Sequence, residues 1–161
     1  MATLPDKSYS RVIIVQILYI LNLSDTEIRD FTEETIDKHI VHIENFYNSA
    51  SSEDSELIEL LRSKAKHQFI KSILMALSQN IESIDAAILQ NLSNKDSWVR
   101  MHIIIKSLLR AAIAEYITLA TTRKVLVDEY VGITRSFFSL KETSFVNATL
   151  DKITSTLNKN D

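Results

Sequence analysis

Residues 98–117 read WVRMHIIIKSLLRAAIAEYI. Ile103, Ile104 and Ile105 stand together, and Leu108, Leu109, Ala112 and Ile113 follow at helical spacing. A helix over about 98–119 is therefore apolar around most of its circumference, the pattern of a helix at the centre of a bundle. Two charges interrupt it, Arg110 and Glu115. An isolated charge among apolar neighbours is costly unless it is paired. The next stretch, VLVDEYVGI at 125–133, carries a third such group, Glu129. Pairing of Arg110, Glu115 or Glu129 across helices, fixing how the bundle closes, is the expectation.

The rest of the chain fits around that helix. Its 161 residues are one domain's worth. They include one Gly and one Pro, and strands and tight turns draw on both, so long helices joined by short polar links are expected. The first helix spans about 8–22, with the apolar run of residues 12–21 buried on nearly all sides. Ser24-x-x-Glu27 has the form of a capping box opening a second helix, in which Ile28, Phe31, Ile36, Ile40, Ile43 and Tyr47 make one apolar face. NSASSEDSE at 48–56 is a polar loop. A third helix follows over about 57–79, with Leu57, Leu60, Leu61, Ala65, Phe69, Ile73 and Leu77 as its stripe, and a fourth over about 81–92. SNKD at 93–96 breaks it, and Ser93 or Asp96 is placed to cap the central helix. TTRK at 121–124 precedes a sixth helix at about 125–138, SLKET at 139–143 precedes a seventh at about 144–157, and the tail NKND frays. The result is an all-α fold: one domain over 1–161, a compact bundle of about seven helices in two sub-bundles, about 8–79 and about 81–157.

Composition excludes much chemistry. The chain has no Cys, hence no disulfide and no thiolate nucleophile. Its only Gly, Gly132, falls in a helical stretch, so the common glycine-rich phosphate loops are absent. His39 and His42, with Glu44 nearby, share a helix face, but a zinc site needs three or four ligands at set spacing; no metal and no cofactor are expected. Nothing resembles a catalytic constellation, so the chain is read as a non-enzyme. Lys7 and Arg11 before an apolar run imitate a secretory signal, yet Gln16 interrupts the run and no small-residue cleavage site follows. The run is also too short for a membrane span, which takes about 20 residues. Without secretion, the N-x-S/T patterns at Asn22, Asn91 and Asn147 are chance matches. A net charge of −3 argues against a broad nucleic-acid surface and leaves room for a local patch or a basic partner.

Three segments in order carry a resemblance. WVRMHIIIKSLLRAAIAEYI contains Leu109-Arg110-Ala111-Ala112 with Glu115; KVLVDEYVGITRSFF at 124–138 contains Val125, Val127, Asp128, Glu129 and Val131; SFVNATLDKI at 144–153 contains Phe145-Val146-Asn147 with Leu150-Asp151. At the other end, SRVIIVQILY at 10–19 supplies Arg11, Gln16, Leu18 and Tyr19. Together these resemble the NusB family of bacterial transcription antitermination factors over nearly the whole chain.

The resemblance implies a cytoplasmic, non-enzymatic protein that pairs with NusE, a small-subunit ribosomal protein. The pair binds the boxA element of nascent ribosomal RNA and helps RNA polymerase read through terminators. It implies RNA contacts on the N-terminal segment and first helix, here Lys7, Arg11 and Tyr19, where cations meet phosphates and an aromatic ring stacks on an unpaired base. Phe69 and Asp85 are the expected partner-binding residues. Arg110, Glu115, Glu129, Phe145 and Asn147 are expected to be structural, Asn147 as a hydrogen-bonding residue near a helix start. Some family members dimerise, so a homodimer is a further possibility. The chain departs from the pattern in its thinned N-terminal basic cluster, in Ala148 where Gly is usual, in a TTRK turn without Pro, and in Asp128 for Asn. The thinned cluster supports an alternative reading, a helical protein-interaction adaptor with weak or lost RNA binding.

Overall fold

A computed structural model describes residues 6–24, 26–49 and 64–157 of the chain. All regular structure in them is helical: α1 (Asp6–Leu23), a 3-10 turn (Ile28–Asp30), α2 (Glu33–Ser49), α3 (Lys64–Gln90), α4 (Asp96–Arg100), α5 (Ile103–Thr118), α6 (Arg123–Phe137) and α7 (Leu140–Leu157). The polar loop expected at 48–56, the start of the third helix with Leu57, Leu60 and Leu61, and the fraying tail lie largely or wholly outside the described residues.

α5 is the central element. Its residues 107–109 and 111–116 are all buried, and α3, α1, α6 and α7 all pack against it. α1 is the second buried helix: Ile14 and Ile17 have no exposed surface, and Ile13, Val15, Leu18 and Leu21 have almost none. Apolar side chains cover most of the circumference of both helices, so neighbouring helices must pack over them, and α1 keeps one partly exposed stripe through Lys7, Val12, Gln16, Tyr19 and Leu23.

The structure moves four of the expected boundaries. Ser24 does not open α2. Its hydroxyl donates back to the carbonyls of Ile20 and Leu21 at 3.2 and 3.1 Å and helps close α1. Ile28 and Phe31 are buried as the spacing requires, but Ile28 belongs to the 3-10 turn and Phe31 to the extended residue after it. α2 is opened instead by Thr32, whose hydroxyl accepts the Thr35 N–H at 3.1 Å. Replacing Thr32 with alanine leaves that N–H without its cap, and a loss of about 1 kcal/mol in urea unfolding is expected.

The expected third and fourth helices form one helix, kinked at Asn80 (φ −124°, ψ 17°). No Gly or Pro is present there to end it. The bend comes from side chains competing for backbone groups: Asn80 Nδ2 donates to the Ala76 carbonyl at 2.8 Å, and the Ser83 hydroxyl to the Asn80 carbonyl at 3.0 Å. The line between sub-bundles drawn at 79–81 therefore falls at a kink within one helix. In the opposite sense, the single helix expected over 98–119 is broken. Met101 is extended (ψ 138°), and His102 caps α5, its Nδ1 accepting the Ile104 N–H at 3.2 Å. The last helix begins at Leu140 rather than Ser144. There the Ser139 hydroxyl donates to the Glu142 carboxylate, the Ser139 carbonyl accepts the Thr143 N–H at 3.1 Å, and together these open the helix.

Candidate functional site

Two of the three charges singled out in the sequence, Glu115 and Glu129, meet Arg11 where α1, α5 and α6 come together. Arg11 lies on α1 and is 2% exposed; Glu115 lies on α5 with no exposed surface. The guanidinium holds the carboxylate through Nη2–Oε1 at 2.6 Å, Nε–Oε2 at 3.0 Å and Nε–Oε1 at 3.2 Å. Tyr130 on α6 donates its hydroxyl to Oε2 at 2.8 Å, and Thr121 donates to Oε1 at 2.9 Å. Arg11 Nη1 also faces Glu129 at 3.5 Å, and Glu129 accepts the Ser8 hydroxyl at 2.7 Å. Burial opposes the Arg11 charge, but the hydrogen bonds and charge of Glu115 outweigh it, and the guanidinium pKa is raised. Burial, then the charge and hydrogen bond of Glu115, push the Tyr130 phenol well above its ordinary range, so it stays protonated and donates.

This network corrects the expectation for Arg11. A phosphate cannot reach a guanidinium that is enclosed by the bundle and already paired with Glu115. Arg11 is a structural cation, and the cluster ties α1 to the consecutive helices α5 and α6, about a hundred residues further along the chain.

Lys7, one helical turn earlier, is exposed. Its Nζ stands 5.7 Å from the centre of the Phe69 ring, on the same ring that Arg11 approaches at 5.4 Å. Lys7 and Phe69, assigned above to different ligands, thus share one surface. Tyr19 does not join them. Twelve residues along α1 from Lys7, about 18 Å, it lines a groove of about 440 Å³ with Val15, Gln16, Ile20, His42, Ile43, Phe46, Ile104 and Phe137. The groove is open and apolar, and Phe46 is 65%, Phe137 49% and Tyr19 36% exposed. Asp85 lies elsewhere again. It accepts two hydrogen bonds from Arg110, Nε–Oδ1 and Nη2–Oδ2, both at 2.8 Å. The pair borders a polar hollow with Asn22, Thr26, Glu27 and Arg29.

The model of the NusB family matches residues 8–155. The chain belongs to the NusB family. Among its relatives is "Transcription antitermination protein NusB" of Rickettsia felis, 29% identical over 154 residues that cover 95% of this chain and 94% of that one. The protein of the same name from Rickettsia massiliae is 29% identical over 148 residues, covering 91% and 90%. A solved structure of Thermotoga maritima NusB, described as "T. maritima NusB, P3121, Form 2", superposes with a TM-score of 0.66 at 19% identity and covers 96% of this chain and 93% of that one. The NusB fold accounts for the central position of α5, and the family is one of transcription factors rather than enzymes.

Two NusB-like positions of α7 differ from expectation. Asn147 is exposed and lies well inside the helix, because Ser139 and Glu142 open α7 earlier; it caps nothing. Phe145 is 36% exposed, and the helix is held by Val146, Leu150 and Ile153 instead. Among the described residues no three His, Asp or Glu side chains converge as metal ligands. No helix among them is long and apolar enough to cross a membrane. Sequence reasoning missed Phe46, Phe137 and Ile104 as a surface. Their spacing reads as core, and exposure at the end of a bundle leaves no mark on periodicity. It also missed Tyr130 and Thr121, whose roles come from where Glu115 ends up.

Proposed function

We propose that this NusB-family chain is a cytoplasmic transcription antitermination factor. It binds boxA-type single-stranded RNA together with a NusE-type small-subunit ribosomal protein, within a transcribing RNA polymerase complex. The observation that carries the reading is the pairing, on one helix, of an open aromatic groove with a sparse cationic face. α1 presents Tyr19 to the groove at one end and Lys7 beside Phe69 at the other. A groove with exposed aromatic rings suits anchors from a protein partner. The chain's net charge of −3 suits a basic partner. With Arg11 withdrawn into the core, Lys7 alone of the two expected cations faces solvent, so most of the phosphate-neutralising charge falls to the partner. In this reading the partner sits on the groove rather than on Phe69 and Asp85, and Tyr19 serves the partner rather than an RNA base.

The reading is tested with purified chain and purified NusE-type ribosomal protein. Size-exclusion chromatography is expected to show a one-to-one complex, and calorimetry a negative heat-capacity change on binding, the mark of buried apolar surface. Self-association of the chain through the same groove, with no uptake of the ribosomal protein, would replace the partner by a second copy. On the RNA side, Lys7→Glu is expected to weaken binding of a boxA-like oligonucleotide by the complex and to flatten its log–log salt dependence by about one unit. An unchanged salt slope would remove Lys7 from the RNA face. A partner complex that binds no better to RNA than the partner alone would favour the adaptor reading, which the burial of Arg11 supports.

A further inference from the structure

A second cation–aromatic surface stands at the opposite end of α5 from the Arg11–Glu115 cluster. Trp98, the chain's only tryptophan, projects from the short helix α4 and is half-buried. Lys106 Nζ lies 4.9 Å and Arg110 Cζ 5.2 Å from its ring centre. Arg110 is neutralised by Asp85. Lys106 has no carboxylate within ion-pair distance among the described residues, and its pKa is lowered, first by burial and then by the positive charge of Arg110, with Asp85 opposing. Lys95 and Arg100 are exposed on the same short segment, where Asp96 is the one acid. Val99 beside Trp98 is 79% exposed. The local balance is therefore positive in a chain that is negative overall.

This surface is distinct from the two already described. Lys106 follows the groove residue Ile104 by two positions, about 200° around the helix. Glu115, near which Lys7 and Arg11 sit, lies nine residues further along α5, about 14 Å away. A cation held over an aromatic ring, lacking a counter-charge and flanked by exposed cations, is the arrangement that single-stranded nucleic acids use: phosphates meet the cations and a base meets the aromatic or apolar surface.

We propose that Trp98, Lys106 and Lys95, which precedes Trp98 by three positions and so shares its helix face, form with Arg110 a second contact for single-stranded RNA, separate from the Lys7 face. Lys106 and Lys95 neutralise phosphates, and Trp98 with Val99 offers the surface for a base. The Asp85–Arg110 pair positions the site by holding the Arg110 guanidinium against the indole. The proposal rests on the RNA-binding reading given above, and adds a place where the strand runs beyond the first helix.

The single tryptophan makes the test local. Trp98 emission is followed while a boxA-like RNA oligonucleotide is added to the complex of this chain with a NusE-type protein, and RNA binding is followed separately by anisotropy of a labelled oligonucleotide. Any Trp in the partner is first replaced by Phe. The expected result is a saturable change in Trp98 emission at the RNA concentration that saturates anisotropy, reversed by added salt. The double variant K95E/K106E, which reverses both cations and leaves the indole in place, is expected to bind RNA about tenfold or more weakly at low salt, and a thermal melt shows whether it remains folded. Lys106→Gln, a milder change, is expected to lower the salt slope by about one unit. Full RNA affinity in both variants, with silent Trp98 emission, would overturn the second contact and leave the Lys7 reading standing. No RNA binding with or without the partner would overturn both. An emission change caused by poly-glutamate but not by RNA would assign the surface to an acidic protein segment and overturn the proposal.

Discussion

Replacing Glu115 with alanine is expected to lower stability by about 3–5 kcal/mol, read as a fall in the urea midpoint. The carboxylate accepts from Arg11, Tyr130 and Thr121 at once. Its removal strands a guanidinium that is 2% exposed and a phenol with no exposed surface, so the loss includes the desolvation penalty of the groups left behind as well as the lost bonds. Arg11→Glu is expected to do at least as much damage, since it sets two carboxylates against each other inside the bundle. The paired apolar replacement Arg11→Met with Glu115→Leu is expected to lose much less than the sum of the single changes, because no charge is then left unpaired. A loss below about 1 kcal/mol for Glu115→Ala would mean that water reaches the cluster and that it does not lock the three helices.

The second large effect is at the groove. Phe46 is 65% exposed and contributes little to the core, so Phe46→Glu is expected to leave the melting temperature nearly unchanged. In the proposed complex the ring would be a buried anchor, and a charge there is expected to weaken binding of the NusE-type partner by at least 2 kcal/mol, about thirtyfold in Kd. Calorimetry on the two purified proteins measures it. An unchanged Kd would move the partner off the groove and back toward the α3 surface that carries Phe69.

The two effects separate what the sequence makes legible from what it hides. The central burial of α5 is readable from Ile103 through Ile113, because apolar residues on every side of a helix admit one placement. That its charges are paired is also readable, because unpaired they would be too costly. Their partners are not: Arg110 could have met Glu115 or Glu129, and in the structure it meets Asp85 while Arg11 takes Glu115. Partner choice depends on helix rotation and crossing, which periodicity does not encode. The same limit explains Arg11. In the sequence it stands beside Lys7 in a cationic start, and a single helical turn separates an exposed residue from an enclosed one. The helix breaks were misplaced for local reasons. Asn80 bends a helix without ending it, and His102 opens one with its ring nitrogen, a cap not foreseen at this position. Asn147 has the residue type of a cap, but Ser139 and Glu142 open α7 before it.

In the function proposed above, this NusB-family chain and a NusE-type ribosomal protein bind boxA-type RNA jointly, the chain supplying few cations of its own. The most direct measurement is fluorescence anisotropy of a labelled boxA-like oligonucleotide, titrated with the chain alone, with the ribosomal protein alone and with both, at two salt concentrations. The expected result is weak binding by the chain, and binding by the pair at least tenfold tighter than by either protein and weakening as salt rises. Equal affinity for the pair and for the ribosomal protein alone, with the protein complex formed, would contradict it.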